Sequence, residues 1–101
     1  MYAIEQFQRK INVPVSQVLE VGPELIVVLD YYKAKKLHVW ETLFRIRADG
    51  SVAWKLSAPG STDIFTNVAW RDGKLIAWTW ECFMITIDEA SGTILESVFT
   101  K

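Results

Sequence analysis

The chain has 101 residues, of which 50% are hydrophobic and 23% are charged, and its formal net charge at pH 7 is −1. This length predicts a single domain over residues 1–101, and the apolar content excludes a disordered chain. Eleven basic against twelve acidic residues offer no positive surface to phosphates, so we expect no nucleic-acid binding. With one cysteine, no signal-peptide pattern and no apolar run of the roughly 20 residues that a membrane span needs, we expect a cytoplasmic protein that contacts no membrane.

The first predicted element is a short amphipathic helix over residues 3–11. Ile4, Phe7 and Ile11 recur at helical spacing in a polar background, and Pro14 follows soon after the last of them. The rest of the chain is typical of strands.

The first predicted unit, residues 15–57, contains four strands. They cover residues 15–21, 24–32, 42–47 and 51–56. Gly22-Pro23 and Asp49-Gly50 separate the members of each hairpin, because these residues favour tight turns. The pattern predicts a four-stranded antiparallel meander.

The second predicted unit, residues 64–99, repeats this arrangement. Its strands cover residues 64–70, 74–82, 83–88 and 93–99, with turns at Asp72-Gly73 and around Ser91-Gly92.

The two units can be superposed along the sequence. Leu25 matches Leu75 at an offset of 50 residues, whereas Gly50 matches Gly92 at an offset of 42. The first unit therefore holds about eight extra residues, which lie within 33–42 and are interpreted as a longer hairpin tip in solvent.

The second strand of each unit is apolar on both faces. Residues 24–32 and 74–82 place large apolar side chains at odd and at even positions alike, which indicates sheets that are covered on both sides. Two stacked sheets share one interface. The sequence therefore predicts that the helix covers one outer face and that another copy of the chain, in a homo-oligomer, covers the other.

The stretch "FMITIDEASGTILESVF" resembles the blade repeat of quinoprotein-type β-propellers at Ile87-Asp88, Ser91-Gly92 and Ile94-Leu95. Residues 73–92 are also similar to small uncharacterised bacterial proteins of the same length, at eight positions: Gly73, Leu75, Ala77, Trp80, Phe83, Ile87, Asp88 and Gly92. The resemblance implies propeller-blade-like units, here two instead of the usual four to eight. The predicted fold class is mainly β, two tandem four-stranded antiparallel meanders with a short N-terminal helix. A closed β-sandwich or flattened barrel is the alternative.

The residues with catalytic potential are few. One histidine and one cysteine cannot assemble a metal site, and the isolated glycines form no phosphate-binding loop, so we expect no metal and no cofactor. Cys82 is interpreted as a small buried hydrophobe. We expect no enzymatic activity, and a small hydrolase using Asp30 with Tyr31 or Tyr32 is the alternative.

Five tryptophans are many for this length, and tryptophan is enriched at protein interfaces. Trp78 and Trp80 are assigned to the core. The tip "KAKKLHVW" predicts an exposed partner-binding site formed by Lys35, Lys36, His38 and Trp40. The leading hypothesis is a non-enzymatic protein-binding or self-associating β-protein, and the alternative is a cytoplasmic immunity-type inhibitor of a bacterial toxin.

Overall fold

Two four-stranded sheets form most of the computed structural model, which describes residues 2–100. The elements are α1 (Tyr2–Gln8), β1 (Val15–Val21), β2 (Glu24–Leu29), α2 (Tyr31–Lys36), β3 (Glu41–Ile46), β4 (Val52–Ser57), β5 (Phe65–Arg71), β6 (Lys74–Thr79), β7 (Phe83–Ile87) and β8 (Ile94–Phe99). The first sheet has the order β1-β2-β3-β4 and the second β5-β6-β7-β8, with antiparallel pairing throughout. The predicted pair of meanders is thus confirmed, and the sheets do not close into a barrel.

The extra residues of the first unit form a helix, so the predicted hairpin tip at 33–42 is wrong. The strand predicted over 24–32 ends at Leu29, and Asp30 caps the N-terminus of α2, its carboxylate accepting the Lys33 N–H at 3.1 Å. An N-cap carboxylate satisfies a backbone donor that the first helical turn would otherwise leave free.

The C-terminus of α2 is closed by a Schellman motif. The N–H of His38 donates to the Lys35 carbonyl at 3.2 Å, and the N–H of Val39 donates to the Ala34 carbonyl at 2.8 Å. His38 adopts the left-handed φ of 58° that this motif requires. Capping at both ends stabilises a helix of only six residues.

Two further boundaries differ from the sequence prediction. The N-terminal helix lies at Tyr2–Gln8 instead of 3–11. The strand predicted over 74–82 ends at Thr79, because residues 80–82 form a turn in which Cys82 has a φ of 72°. Cys82 is therefore a half-buried turn residue and not a buried strand residue.

The core consists of two apolar layers, one on each face of the first sheet. Between this sheet and the two helices lie Ala3, Phe7, Val13, Leu25, Val27, Leu29, Ala34, Phe44, Ile46 and Ile64. Between the two sheets lie Ile26, Val28, Leu43, Ala58, Phe65, Val68, Leu75, Ala77, Ile85 and Ile87. The predicted cover on one outer face is present, with α1 and α2 both contributing.

The sheets stack with equivalent faces pointing the same way. Leu25 packs towards the helices, whereas its counterpart Leu75 packs towards the first sheet. Ile26 lies in the layer between the sheets, and its counterpart Ile76 points to the opposite side of the second sheet from Leu75. This head-to-tail arrangement is that of neighbouring propeller blades.

Polar side chains tie one sheet to the other. The Gln17 amide donates to the Val68 carbonyl oxygen at 2.5 Å, and its oxygen accepts the Val68 N–H at 2.9 Å. The buried Thr42 hydroxyl donates to the Phe65 carbonyl at 3.2 Å. These bonds satisfy polar groups that stacking removes from water.

Arg45 adds a charged link between the sheets. On β3, it donates through Nε to Glu24 at 2.6 Å, and through Nη1 to the Glu89 carbonyl at 2.9 Å and the Glu89 carboxylate. Burial disfavours the charged guanidinium, but hydrogen bonds and attraction to Glu24 and Glu89 outweigh burial and hold the pKa of Arg45 above its ordinary value. The β7–β8 turn is thereby fixed against the first sheet.

We expect Gln17→Met to lower the free energy of unfolding by about 1–3 kcal/mol, because the Val68 N–H and carbonyl lose their partner. Urea denaturation followed by tryptophan fluorescence measures this change. Glu20→Met, at an exposed position of the same strand, is the control and should change stability by less than about 0.5 kcal/mol. Equal effects of the two substitutions would contradict the role assigned to Gln17.

Gly92 permits a close approach of the sheets. Its φ is +77°, and a Cβ atom there would lie 2.7 Å from the Trp54 indole, which itself donates to the Glu89 carbonyl at 2.8 Å. Gly73 has a similar φ of +76°, but a Cβ atom there would meet open space.

We expect Gly73→Ala to cost about 1 kcal/mol for the left-handed backbone, and Gly92→Ala to cost about 3 kcal/mol because it also displaces Trp54. The difference between the urea unfolding midpoints of the two variants isolates the cost in stability of the steric clash with Trp54. Equal midpoints would show that Trp54 moves aside freely.

Candidate functional site

An aromatic and basic surface lies where α2 meets the β6–β7 turn. We call it the aromatic–lysine patch, and it consists of Tyr31, Tyr32, Lys35, Lys36 and Trp80. The rings of Tyr31 and Trp80 have centroids 5.4 Å apart, and Lys35 Nζ lies 4.4 Å from the Trp80 ring centroid. Lys36 Nζ lies 4.6 Å from the Tyr32 ring centroid. The patch therefore pairs ammonium groups with aromatic faces.

Trp80 is held in position by hydrogen bonds of the surrounding backbone. The backbone N–H of Trp80 donates to the Ile64 carbonyl at 2.9 Å. The buried Asp63 carboxylate accepts the N–H of Ile64 at 2.8 Å and that of Glu81 at 2.9 Å. The turn that presents Trp80 is thus anchored, although its side chain projects into solvent.

Large apolar rings are exposed in the patch. Tyr32 is 62% exposed and Trp80 is 52% exposed. Both border an open depression of about 310 Å³. Trp80 was assigned to the core from the sequence, and that assignment is wrong, because the chain turns out of β6 one residue before it.

The charge of the patch is positive. Lys33, Lys35 and Lys36 all lie in the last turn of α2, where they also interact favourably with the helix dipole. Each ammonium–ring contact is worth about 0.5–1 kcal/mol at an exposed site. Such weak contacts hold the lysines near the rings and leave them able to pair with carboxylates.

The four predicted partner-binding residues lie in two different places. Lys35 and Lys36 line the aromatic–lysine patch, whereas His38 and Trp40 line a separate groove of about 480 Å³. Trp40, predicted to be exposed, is half-buried and packs against the core under the helices. The polar groups Glu41 and Lys55 in this groove pair with each other at 3.4 Å.

Sequence reasoning missed Tyr31, Tyr32 and Trp80 as members of this surface. The signal for the two tyrosines was available, since an Asp followed by a lysine-rich segment is a possible capped helix. The sequence has no comparable signal for the exposure of Trp80. The turn that contains Trp80 includes a left-handed Cys82, and cysteine does not usually adopt this conformation.

The Asp30 carboxylate, which the hydrolase alternative would use as its acid or base, accepts the Lys33 N–H and caps α2. Among residues 2–100, no three His, Cys, Asp or Glu side chains come together as metal ligands. In the same part of the chain no helix has the length and apolarity needed to cross a bilayer.

The fold and the patch define a β-protein built from two stacked blade-like sheets. The chain belongs to the family described as Domain of unknown function (DUF7957), whose model matches residues 3–99. None of the curated proteins matches this sequence.

Among solved structures, the chain is similar to the AfRom2 CNH domain, with a TM-score of 0.59 and 16% sequence identity over 98% of its own length. It spans 28% of the length of that CNH chain. The CNH fold is β-propeller-like, which confirms the propeller part of the resemblance. No comparison supports a quinoprotein relationship.

We expect Asp30→Ala to lower the free energy of unfolding by about 1 kcal/mol, because α2 loses its N-cap. Asp30→Asn preserves a side-chain oxygen that accepts the Lys33 N–H, so it should cost only a few tenths of a kcal/mol. Thermal denaturation by circular dichroism distinguishes the two. Equal stability of Asp30→Ala and the wild type would contradict the capping role.

Proposed function

We propose that this protein is a non-enzymatic binding protein that holds an acidic segment of a partner protein on the aromatic–lysine patch. The observation that carries the proposal is the exposure of Tyr32 and Trp80 beside Lys35 and Lys36 on an anchored surface. Exposed tryptophan and tyrosine are the residue types that most often dominate binding energy at protein interfaces.

The rigidity of the surface favours binding. A helix capped at both ends carries Tyr31, Tyr32 and the lysines, and the turn before β7 is fixed through Asp63. Little conformational entropy remains to be lost when a partner docks on such a surface. An aliphatic or aromatic side chain of the partner would fill the depression beside Trp80.

The charge of the patch defines the chemistry of the partner. Three lysines in one helical turn attract carboxylates, and the attraction weakens with added salt because the groups are exposed. The partner segment should therefore combine acidic residues with apolar ones. The single cysteine of the chain supports a reducing, cytoplasmic setting for this interaction.

Self-association is a separate part of the proposal. It is supported by the outer surface of the second sheet, where the half-buried Trp78 and the exposed Val98 lie. The likeness to a CNH domain concerns the fold and transfers no activity.

We expect Lys35→Glu/Lys36→Glu to abolish binding of a short peptide that alternates Glu and Leu, because the variant reverses the charge of the patch. Chemical-shift changes of the backbone amides of Tyr31 and Tyr32, which border the patch in every variant, measure this binding. Trp80→Ala should lower the affinity at least about tenfold, as removal of a hot-spot aromatic does. For the wild type, affinity should fall as salt rises.

Arg9→Glu/Lys10→Glu is the matched control, since it makes the same charge change at exposed positions after α1. This control should bind the peptide as the wild type does. A peptide that shifts resonances away from Tyr32 and Trp80, or that binds both double variants equally, would contradict the proposed site.

A further inference from the structure

The outer surface of the second sheet is the largely apolar side that faces away from the first sheet. We call it the open face. Its apolar residues are Ala69, Ile76, Trp78, Met84 and Val98, and its polar residues are Thr86 and Asn67, which pairs with Trp78 and is exposed. Strand register places these residues on one side, since Ala69 pairs with Ile76, Ile76 with Thr86, Trp78 with Met84, and Met84 with Val98. Neighbours in register on a sheet share a face.

The open face corresponds to a surface that is covered in the other sheet. At the offset of 50 residues, Ile76 and Trp78 match Ile26 and Val28, which are both fully buried against the second sheet. On the open face Ile76 is buried by its neighbours in the same chain, but Trp78 and Met84 are only half-buried and Val98 is 41% exposed. The outer surface of the second sheet is therefore of the kind that the first sheet buries in its contact with a neighbouring sheet.

A second copy cannot continue the stack head to tail. The face of the first sheet that such a copy would contact is covered by α1 and α2, through buried residues such as Phe7 and Ala34. The symmetric alternative brings the same face of two copies together about a two-fold axis. Deepening the self-association proposed above, we infer that two chains dimerise open face to open face, with the two-fold axis parallel to the strands.

Charges at the borders of the open face fit this symmetry. Arg71 on β5 pairs in register with Lys74 on β6, and Glu96 on β8 pairs with Thr86 on β7. Within one chain, β5 and β8 are separated by two strands, or about 14 Å. A two-fold axis along the strands sets β5 of one chain opposite β8 of its partner. The backbone of Arg71 is level with Lys74 and that of Glu96 with Ile76, a difference of two residues or about 7 Å along the strands. The Arg71 side chain extends in this direction, over Trp78, so its guanidinium reaches the Glu96 carboxylate of the partner.

The Arg71 side chain is placed for this contact. Its guanidinium lies 5.5 Å from the Trp78 ring centroid, and Nη1 lies 3.8 Å from Met84 Sδ. The side chain thus extends across the open face instead of pointing away from it. In the monomer its methylene groups shield apolar surface, as long basic side chains commonly do.

The size of the open face predicts a weak dimer. Four strands about 4.8 Å apart and six residues long cover about 400 Å² on each chain. The total of about 800 Å² is below the roughly 1,200–2,000 Å² typical of stable complexes. The dimer should therefore form and dissociate with concentration.

Sedimentation velocity over a wide range of concentration tests the inference. The wild type should shift from monomer to dimer as concentration rises. Trp78→Lys should remain monomeric at least tenfold beyond the wild-type midpoint, whereas Trp80→Lys, which introduces the same change next to α2, should dimerise normally. Circular dichroism of each variant verifies that it is folded.

A charge exchange tests the symmetry. Arg71→Glu brings two carboxylates together at each contact between the chains, and Glu96→Arg brings two guanidinium groups together, so each variant alone should be monomeric. An equimolar mixture of the two variants should form a heterodimer in which both contacts join opposite charges. At one contact the native Glu96 of the first chain meets the native Arg71 of the second, and at the other the carboxylate introduced at position 71 meets the guanidinium introduced at position 96. Misfolded variants could not regain the dimer on mixing, so recovery of the dimer in the mixture shows that both variants are folded.

Three results would overturn the inference in distinguishable ways. A wild type that stays monomeric at every concentration removes both self-association and the open-face dimer. A dimer that survives Trp78→Lys retains self-association but excludes this face. Loss of the dimer in Trp78→Lys without recovery in the charge-exchanged mixture excludes the axis parallel to the strands. None of these results bears on peptide binding at the aromatic–lysine patch.

Discussion

A sheet that is apolar on both faces needs two covers, and the whole structure follows from this constraint. Burial of apolar area is the main favourable term in folding, and β2 has buried side chains at five successive positions. The second sheet covers one side of the first, and the two helices cover the other. A propeller meets the same demand by closing a ring of blades. In this chain, helices replace the missing neighbour at one end of the stack.

The helix α2 serves the core and the surface at once. On its inner side Ala34 is fully buried in the apolar layer over the first sheet. On its outer side Tyr32, Lys35 and Lys36 form part of the aromatic–lysine patch. The insertion that distinguishes the first unit from the second is therefore both the structural cover and the candidate binding element. One short helix can fill both roles because an amphipathic helix has an apolar side, which packs on the core, and an opposite side that is exposed to solvent.

The strands and their order could be predicted because turn residues and alternation are local signals. Asp49-Gly50 and Asp72-Gly73 marked two hairpins correctly, and the offset of 50 residues between the first two strands of each unit revealed the repeat. The helix α2 could not be recognised by the same means. Tyr31 and Tyr32 extend the run of β-favouring residues that begins in β2. The Schellman motif that ends α2 has His38 at the left-handed position, where glycine is usual.

The candidate site was predicted in part for related reasons. Lys35 and Lys36 were identified from local charge, but their aromatic neighbour Trp80 comes from a distant turn. Its contact with α2 depends on how the two units pack, and pattern reasoning along the chain does not address that packing. His38 and Trp40 were grouped with the lysines because they are close in sequence. The helix directs them into another groove.

The contact of Gln17 with Val68 has a consequence for the behaviour of the protein in crowded solution. The amide group of Gln17 occupies both the N–H and the carbonyl of a residue on β5, which is an edge strand of the second sheet. An edge strand with free backbone groups is a template for adding foreign strands. One side chain from the neighbouring blade thus occupies the outward N–H and carbonyl of Val68, so a foreign strand adding at this border would lack these two hydrogen-bond partners.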